Sequence, residues 1–175
     1  MQSNVYKEQL FELLAELSRQ EIDFVVCGGV ACVLQGVERA TYDLDIAIAL
    51  DSENIRKLIV AAASFSLKPR IPEPVENLID KKRREFWIRE KGARVYTFVS
   101  ESSPLQMDVF LTELILYKEL KTKADILDIE GTKLAVCSKK HLLDLKKMIE
   151  PLRDKDIQDI KELERLISEE TQKTI

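Results

Sequence analysis

The chain has 175 residues, 45% of them hydrophobic and 33% charged, with a net charge of −4. That length and apolar share suit one domain with its own core, and the charge gives no general attraction to nucleic acid or to an anionic membrane. Three cysteines without a C-x-x-C pair and a single histidine, His141, argue against a zinc site; no apolar run approaches the roughly 20 residues of a membrane span, and the odd number of thiols suits a reducing, cytoplasmic location.

In chain order, 4–20 reads as an amphipathic helix capped by Ser3 or Asn4, with Leu10, Leu13, Leu14 and Leu17 as its apolar stripe. The almost continuous apolar run 22–27 is a strand buried on both faces. It stops at a Gly28-Gly29 turn, where a short buried helix begins and reaches Leu34. After a polar loop over 37–41 the next strand alternates. Tyr42, Leu44, Ile46 and Ile48 take one face; Asp43, Asp45, Ala47 and Ala49 take the other. Carboxylates at i and i+2 lie roughly 6–7 Å apart on one side of a strand, close enough to share a divalent cation. Glycine at a helix start leaves backbone N–H groups open to an anion.

A helix over 52–66 follows, capped by Ser52, with Ile55, Leu58, Ile59 and Ala62 or Ala63 facing the core; a right-handed crossover between neighbouring strands is expected of it. A proline-rich loop over 67–74 leads to a short helix over 74–82. The basic run Lys81-Lys82-Arg83-Arg84 is read as a solvated helix end, with a triphosphate or RNA contact as the alternative. Segments 86–90 and 95–99 read as strands paired through a turn at Lys91-Gly92-Ala93. In the strand 106–111, Met107, Val109 and Leu111 share one face, while Asp108 stands on the other with Gln106 and Phe110. A carboxylate inside an apolar strand needs a cation or hydrogen-bond donors. A hairpin over 124–137 turns at Gly131. A helix over 138–150 ends at Pro151, and an amphipathic helix over 152–167 carries Ile157, Ile160, Leu163, Leu166 and Ile167 on its apolar face, frayed beyond Glu169.

Gly28-Gly29 followed by Arg39, Thr41, Asp43 and Asp45 resembles the G-G…R-x-T-x-D-x-D signature of nucleotidyltransferases of the DNA polymerase β type, and within them the small prokaryotic AbiEii-toxin-like proteins. Arg153, Lys155, Asp156 and Asp159 resemble the R-x-K-D-x-x-D segment of the same family, with Lys146 or its neighbour Lys147 as the lysine on the preceding helix. The resemblance implies one α+β domain over 1–175: a small mixed sheet with helices on one side, a catalytic core over about 20–115, and a C-terminal helical pair over about 137–175.

It also implies a reaction, the Mg2+-dependent (or Mn2+-dependent) transfer of an NMP from an NTP to an acceptor hydroxyl or phosphate. Asp43, Asp45 and Asp108 would be the metal-binding and catalytic carboxylates; Gly28, Gly29, Arg39, Thr41, Lys146 and Lys155 would hold the nucleotide. A toxin–antitoxin component with an RNA or protein acceptor, and a binding domain without turnover, are the alternatives. Neither G-x-G-x-x-G nor G-K-[ST] occurs, which argues against a Rossmann dehydrogenase or a P-loop NTPase.

Overall fold

The computed structural model describes residues 2–111 and 117–173, and of residues 2–6 the backbone alone. The elements are α1 (Gln2–Arg19), β1 (Phe24–Cys27), α2 (Gly28–Leu34), β2 (Asp43–Ile48), α3 (Ser52–Ser64), β3 (Leu67–Pro69), a 3-10 turn (Val75–Leu78), α4 (Lys81–Lys91), β4 (Val95–Ser100), β5 (Gln106–Phe110), α5 (Tyr117–Thr122), β6 (Asp125–Ile129), β7 (Thr132–Val136), α6 (Lys139–Lys147) and α7 (Asp154–Lys173). The strands form one mixed sheet in the order β3-β4-β5-β2-β1-β7-β6. The β1–β7 and β2–β5 pairs are parallel and the others antiparallel.

The alternation in β2 and β5 sets the core. Leu44, Ile46, Met107 and Val109 are fully buried on one face, and the acidic residues stand on the other. Each large aliphatic side chain so buried stabilises the fold by about 1.5–3 kcal/mol. β1 is buried along its whole length, as its continuous apolar run predicts. In α1, Leu10, Leu13, Leu14 and Leu17 are all in the core.

Several local expectations give way to tertiary context. Residues 86–90 are helical, inside α4. Asp80 caps that helix by accepting from the Lys82 N–H at 2.8 Å, Arg84 and Trp87 face inward, and Gly92 at φ +62 closes it. β4 therefore pairs with β5 and β3, not with 86–90. The proline-rich stretch hides β3, whose Pro69 sits opposite Phe98 on an edge strand, where a missing N–H is tolerated. The expected helix over 74–82 divides into the 3-10 turn and the start of α4.

Other ends and caps move as well. α1 starts at Gln2, so Ser3 and Asn4 lie within it rather than capping it. Asp51, not Ser52, caps α3, and Ala61 and Ala62 are the alanines it buries. The strands that α3 joins, β2 and β3, are not neighbours, because β5 and β4 lie between them. Tyr42 precedes β2 and is exposed. α7 continues to Lys173 instead of fraying at Glu169. It turns Asp156, Asp159 and Leu163 inward, which leaves Ile157 40% exposed. The expected core boundary near 115 falls in 112–116, outside the described residues, as does 175.

Candidate active site

Register brings the acidic residues together. Cys27 of β1 lies opposite Asp45 of β2, and Asp45 lies opposite Asp108 of β5, so the three form one row across the sheet. Asp43, two residues before Asp45, points the same way. α2 leaves the end of β1 directly, without a separate turn, and Gly28 at φ +59 makes that bend. A Cβ at Gly28 would collide with the Asp45 carboxylate; one at Gly29 would stand 2.7 Å from Thr41 Oγ1 and 3.2 Å from Arg39 Cζ. The glycines thus give the Asp45, Thr41 and Arg39 side chains their room. Gly28→Ala should displace Asp45 and cost about 1–2 kcal/mol of backbone strain. If the site holds the Mg2+·nucleotide that the sequence resemblance implies, the expected result is a modest fall in melting temperature with a loss of about tenfold or more in affinity for it. Titration calorimetry checks it, and unchanged affinity would contradict it.

Burial pushes the Asp45 carboxyl up to about 6, and the charges of Asp108 and Asp43 push the same way; the Gly29 N–H bond and Lys146 pull against them. A pKa raised on folding means that the native state holds this proton more tightly. The resulting stability is complete below the ordinary value of 3.8 and is lost as pH rises through about 6. The difference is worth roughly 3 kcal/mol at most. Metal-free Asp45→Asn should therefore be more stable than the parent near pH 7 and lack this slope. Thermal unfolding with a chelator present checks the sign; an Asn variant less stable than the parent near neutrality would contradict it. In Asp108, Oδ2 accepts from Gln106 Nε2 at 3.0 Å, while Oδ1 is buried without a hydrogen-bond partner.

Beside the carboxylates lies a buried ionic network. Lys146 Nζ donates to Asp156 Oδ1 at 2.9 Å and pairs with Asp159 Oδ2 at 2.7 Å. Arg39 reaches the same Asp159 oxygen at 2.5 Å, instead of pairing with Glu38 or Asp43. Arg153 Nε donates to Asp156 Oδ2 at 2.6 Å. Burial alone would push Asp156 up, but the hydrogen bonds from Arg153 and Lys146 more than reverse it and hold the carboxyl well below its usual range. Burial would likewise depress Lys146, and Asp159 and Asp156 keep it raised and charged. Lys147 points away, to Glu164 at 2.7 Å.

These groups border one cavity of about 500 Å3. Gly28, Gly29, Arg39, Thr41, Asp43 and Asp45 line it, together with Asp108, Lys146 and Lys155, so the residues singled out from the sequence converge there. The apolar lining was not foreseen: Phe110, Leu142, Leu145, Met148 and Ile149, with Arg94 and Glu150 near them. Phe110 shares the Asp108 face of β5, and Leu142 and Leu145 are spaced i, i+3 on the Lys146 helix, with Ile149 just beyond its end, so both are legible in the sequence. Arg94 carries no local signal. The basic run of α4 lies outside the cavity lining; Arg83 pairs with Glu73 at 2.6 Å, and Arg84 is buried, donating to the Leu78 and Ile79 carbonyls.

No family model and no characterised protein matches the chain by sequence. Solved structures do match by shape. The lincosamide antibiotic adenylyltransferase LnuA, solved with lincomycin bound, has a TM-score of 0.61 at 15% identity, over 91% of this chain and 96% of its own. The antibiotic-resistance factor ANT(2'')-Ia has a TM-score of 0.55 at 11% identity, over 99% and 95%. A nucleotidyltransferase-like protein from Paracoccidioides brasiliensis has 0.52 at 16%, over 93% and 72%. The chain has the nucleotidyltransferase fold. The mixed α+β architecture expected from the sequence is the observed one.

The nucleotidyltransferase fold implies a divalent cation, and the donor set suits one. Asp43, Asp45 and Asp108 would offer hard oxygen ligands of the kind that Mg2+ takes, and Asp108 Oδ1 is a buried acceptor without a hydrogen-bond partner. Among the described residues, no group of three or more His, Cys, Asp or Glu side chains stands so that it could hold a metal ion without rearrangement or added ligands. Nucleotide oxygens and water would complete the coordination. Also among the described residues, no helix is long and apolar enough to cross a membrane, and all three cysteines are free and buried.

Proposed function

We propose that this protein is a Mg2+-dependent nucleotidyltransferase, with Mn2+ as a substitute ion, moving an NMP from an NTP to an acceptor hydroxyl. The observation that carries the reading is the placement of Asp43, Asp45 and Asp108 on one sheet face, beside Gly28-Gly29 and the Arg39–Lys146 cluster, in a cavity of this fold. Asp43, Asp45 and Asp108 would hold the cation, which when bound polarises the phosphate oxygens and offsets their charge. Gly28 and Gly29, which give Asp45, Thr41 and Arg39 their room, line the cavity where the β- and γ-phosphates would lie. Arg39, Lys146 and Lys155 meet the negative charge, with the first two held in place by Asp159. Asp108 takes the acceptor proton. The acceptor oxygen bonds to the α-phosphorus, the bond from that phosphorus to the bridging oxygen breaks, and pyrophosphate leaves with the electron pair.

The test is incubation with each α-32P-labelled NTP, Mg2+, and either a cell extract or total RNA. Label on an acceptor with stoichiometric pyrophosphate supports transfer. Nucleotide bound but never turned over would favour a binding domain, and no nucleotide binding in Mg2+ would overturn the reading. Label on RNA or on a protein would assign the macromolecular alternative.

A further inference from the structure

Asp108 is held from outside the cavity. Its Oδ2 accepts from Gln106 Nε2 at 3.0 Å, and the oxygen of the same amide accepts from Arg70 Nη2. Gln106 stands two residues before Asp108 on the same face of β5, opposite Asp43 in the β2–β5 register. Arg70 comes from another part of the sheet. It follows β3 directly, and its backbone N–H donates to the Thr97 carbonyl at 2.9 Å. Thr97 in turn lies opposite Asp108 in the β4–β5 register, so the backbone that carries Arg70 is anchored on the strand beside Asp108. Neither Arg70 nor Gln106 is among the residues that line the cavity.

The chemistry of the three groups sets the direction of this relay. A guanidinium only donates and an ionised carboxylate only accepts. The amide between them therefore presents its oxygen to Arg70 and its nitrogen to Asp108; reversed, it would set N–H against N–H and oxygen against oxygen. Building on the nucleotidyl-transfer reading, we infer that Gln106 and Arg70 are positioning residues for Asp108. Arg70 orients the Gln106 amide, and the amide holds Asp108 Oδ2, which leaves Oδ1 for the cation or for the acceptor proton. Oδ1 is the oxygen that is buried without a hydrogen-bond partner. The terminal torsion of an aspartate is broad, so a carboxylate with both oxygens free has no fixed orientation. With one oxygen tied, the orientation is set before a ligand arrives, and less freedom is lost when it does. The pairing of β5 does not need the relay, since backbone ladders to β2 and β4 already hold that strand on both sides.

The test uses the full chain with Gln106→Met, which removes the donor at similar volume, with Arg70→Met, and with both. Mn2+ is titrated calorimetrically into each protein saturated with AMPCPP, whose α,β-methylene bridge blocks transfer, and with the GTP, CTP and UTP analogues that carry the same bridge. Gln106→Met should weaken Mn2+ binding about three- to tenfold, the effect of losing one hydrogen bond. Arg70→Met should weaken it less, and adding Arg70→Met to Gln106→Met should change nothing further, because Arg70 acts through the amide. In crystals of Gln106→Met grown with a chelator, the Asp108 carboxylate should be turned from its orientation in the parent, with the melting temperature close to the parent's. Mn2+ affinity unchanged in Gln106→Met overturns the proposal. So does an Arg70→Met effect of equal size with and without Gln106, which would make Arg70 a charge acting directly on the ligand. A large fall in melting temperature with Asp108 unmoved overturns it too, since the relay would then only support the fold. If the parent binds none of the four analogues in Mn2+, it is the nucleotidyl-transfer reading that fails. The metal-free orientation of Asp108 in Gln106→Met then still decides the relay: turned supports it, unmoved overturns it.

Discussion

Asp108→Asn is expected to lower nucleotidyl transfer about 100-fold or more while leaving the metal-free protein as stable as the parent, or more so. Asn keeps nearly the same volume and retains an oxygen to accept from Gln106 Nε2, the bond that Asp108 Oδ2 now makes. Its amide group would stand where Oδ1 is buried without a partner, beside the Asp45 carboxylate that burial and neighbouring charge already press. One negative charge leaves a crowded set and one unsatisfied acceptor disappears, both favourable to the fold. Nucleotide affinity should change little, because Gly28, Gly29, Arg39 and Lys146 are untouched. Transfer kinetics, calorimetric titration and thermal unfolding on one preparation separate these effects. A large drop in melting temperature with transfer intact would make Asp108 a structural residue and contradict the account.

Lys146→Met should have the largest effect on the fold. Lys146 is 7% exposed and bridges Asp156 and Asp159, which are 0% and 1% exposed. Removing one partner of a buried ion pair typically costs about 3–5 kcal/mol, and the low end applies here because Arg153 and Arg39 still face the two carboxylates. Methionine fills most of the vacated volume, so the loss is electrostatic rather than a cavity. The linkage runs opposite to that of Asp45. The Asp156 carboxyl is held below its usual range, so its contribution is present at neutral pH and is lost as pH falls through the acid range. The variant should therefore lose stability by urea titration at neutral pH, and the gap to the parent should narrow in acid. A gap of equal size at both pH values would contradict the ionic origin. Nucleotide affinity should fall as well, since Asp159 would then hold Arg39 alone and one phosphate-facing cation would be gone.

The legible parts of the site are those carried by short-range pattern. Alternation in β2 placed Asp43 and Asp45 on one face, and alternation in β5 did the same for Asp108, because a strand's period of two is local geometry. Gly28 is legible only in part: the sequence marks a bend, but the reason for glycine is the Asp45 carboxylate packed against it from another strand. The Arg39–Asp159 contact spans 120 residues, and nothing near Arg39 distinguishes it from a local pair with Glu38. The sequence of α4 reads as a strand because Phe86, Trp87 and Ile88 form a short apolar run that strands also show; the Asp80 cap and the Gly92 stop are the signals that decide for a helix. α7 inverts the usual rule, burying two aspartates and exposing Ile157, since cations from α6 and from the loop before β2 meet the carboxylates there.

The central claim, a nucleotide-dependent cation site on the sheet face, is most directly tested by crystals grown with Mn2+ and AMPCPP, measured at a wavelength where manganese scatters anomalously. The account predicts an anomalous peak between the Asp43 and Asp45 carboxylates, in contact with the triphosphate, with the β- and γ-phosphates against Gly28 and Gly29. A nucleotide bound with manganese elsewhere and both carboxylates turned to solvent would contradict it.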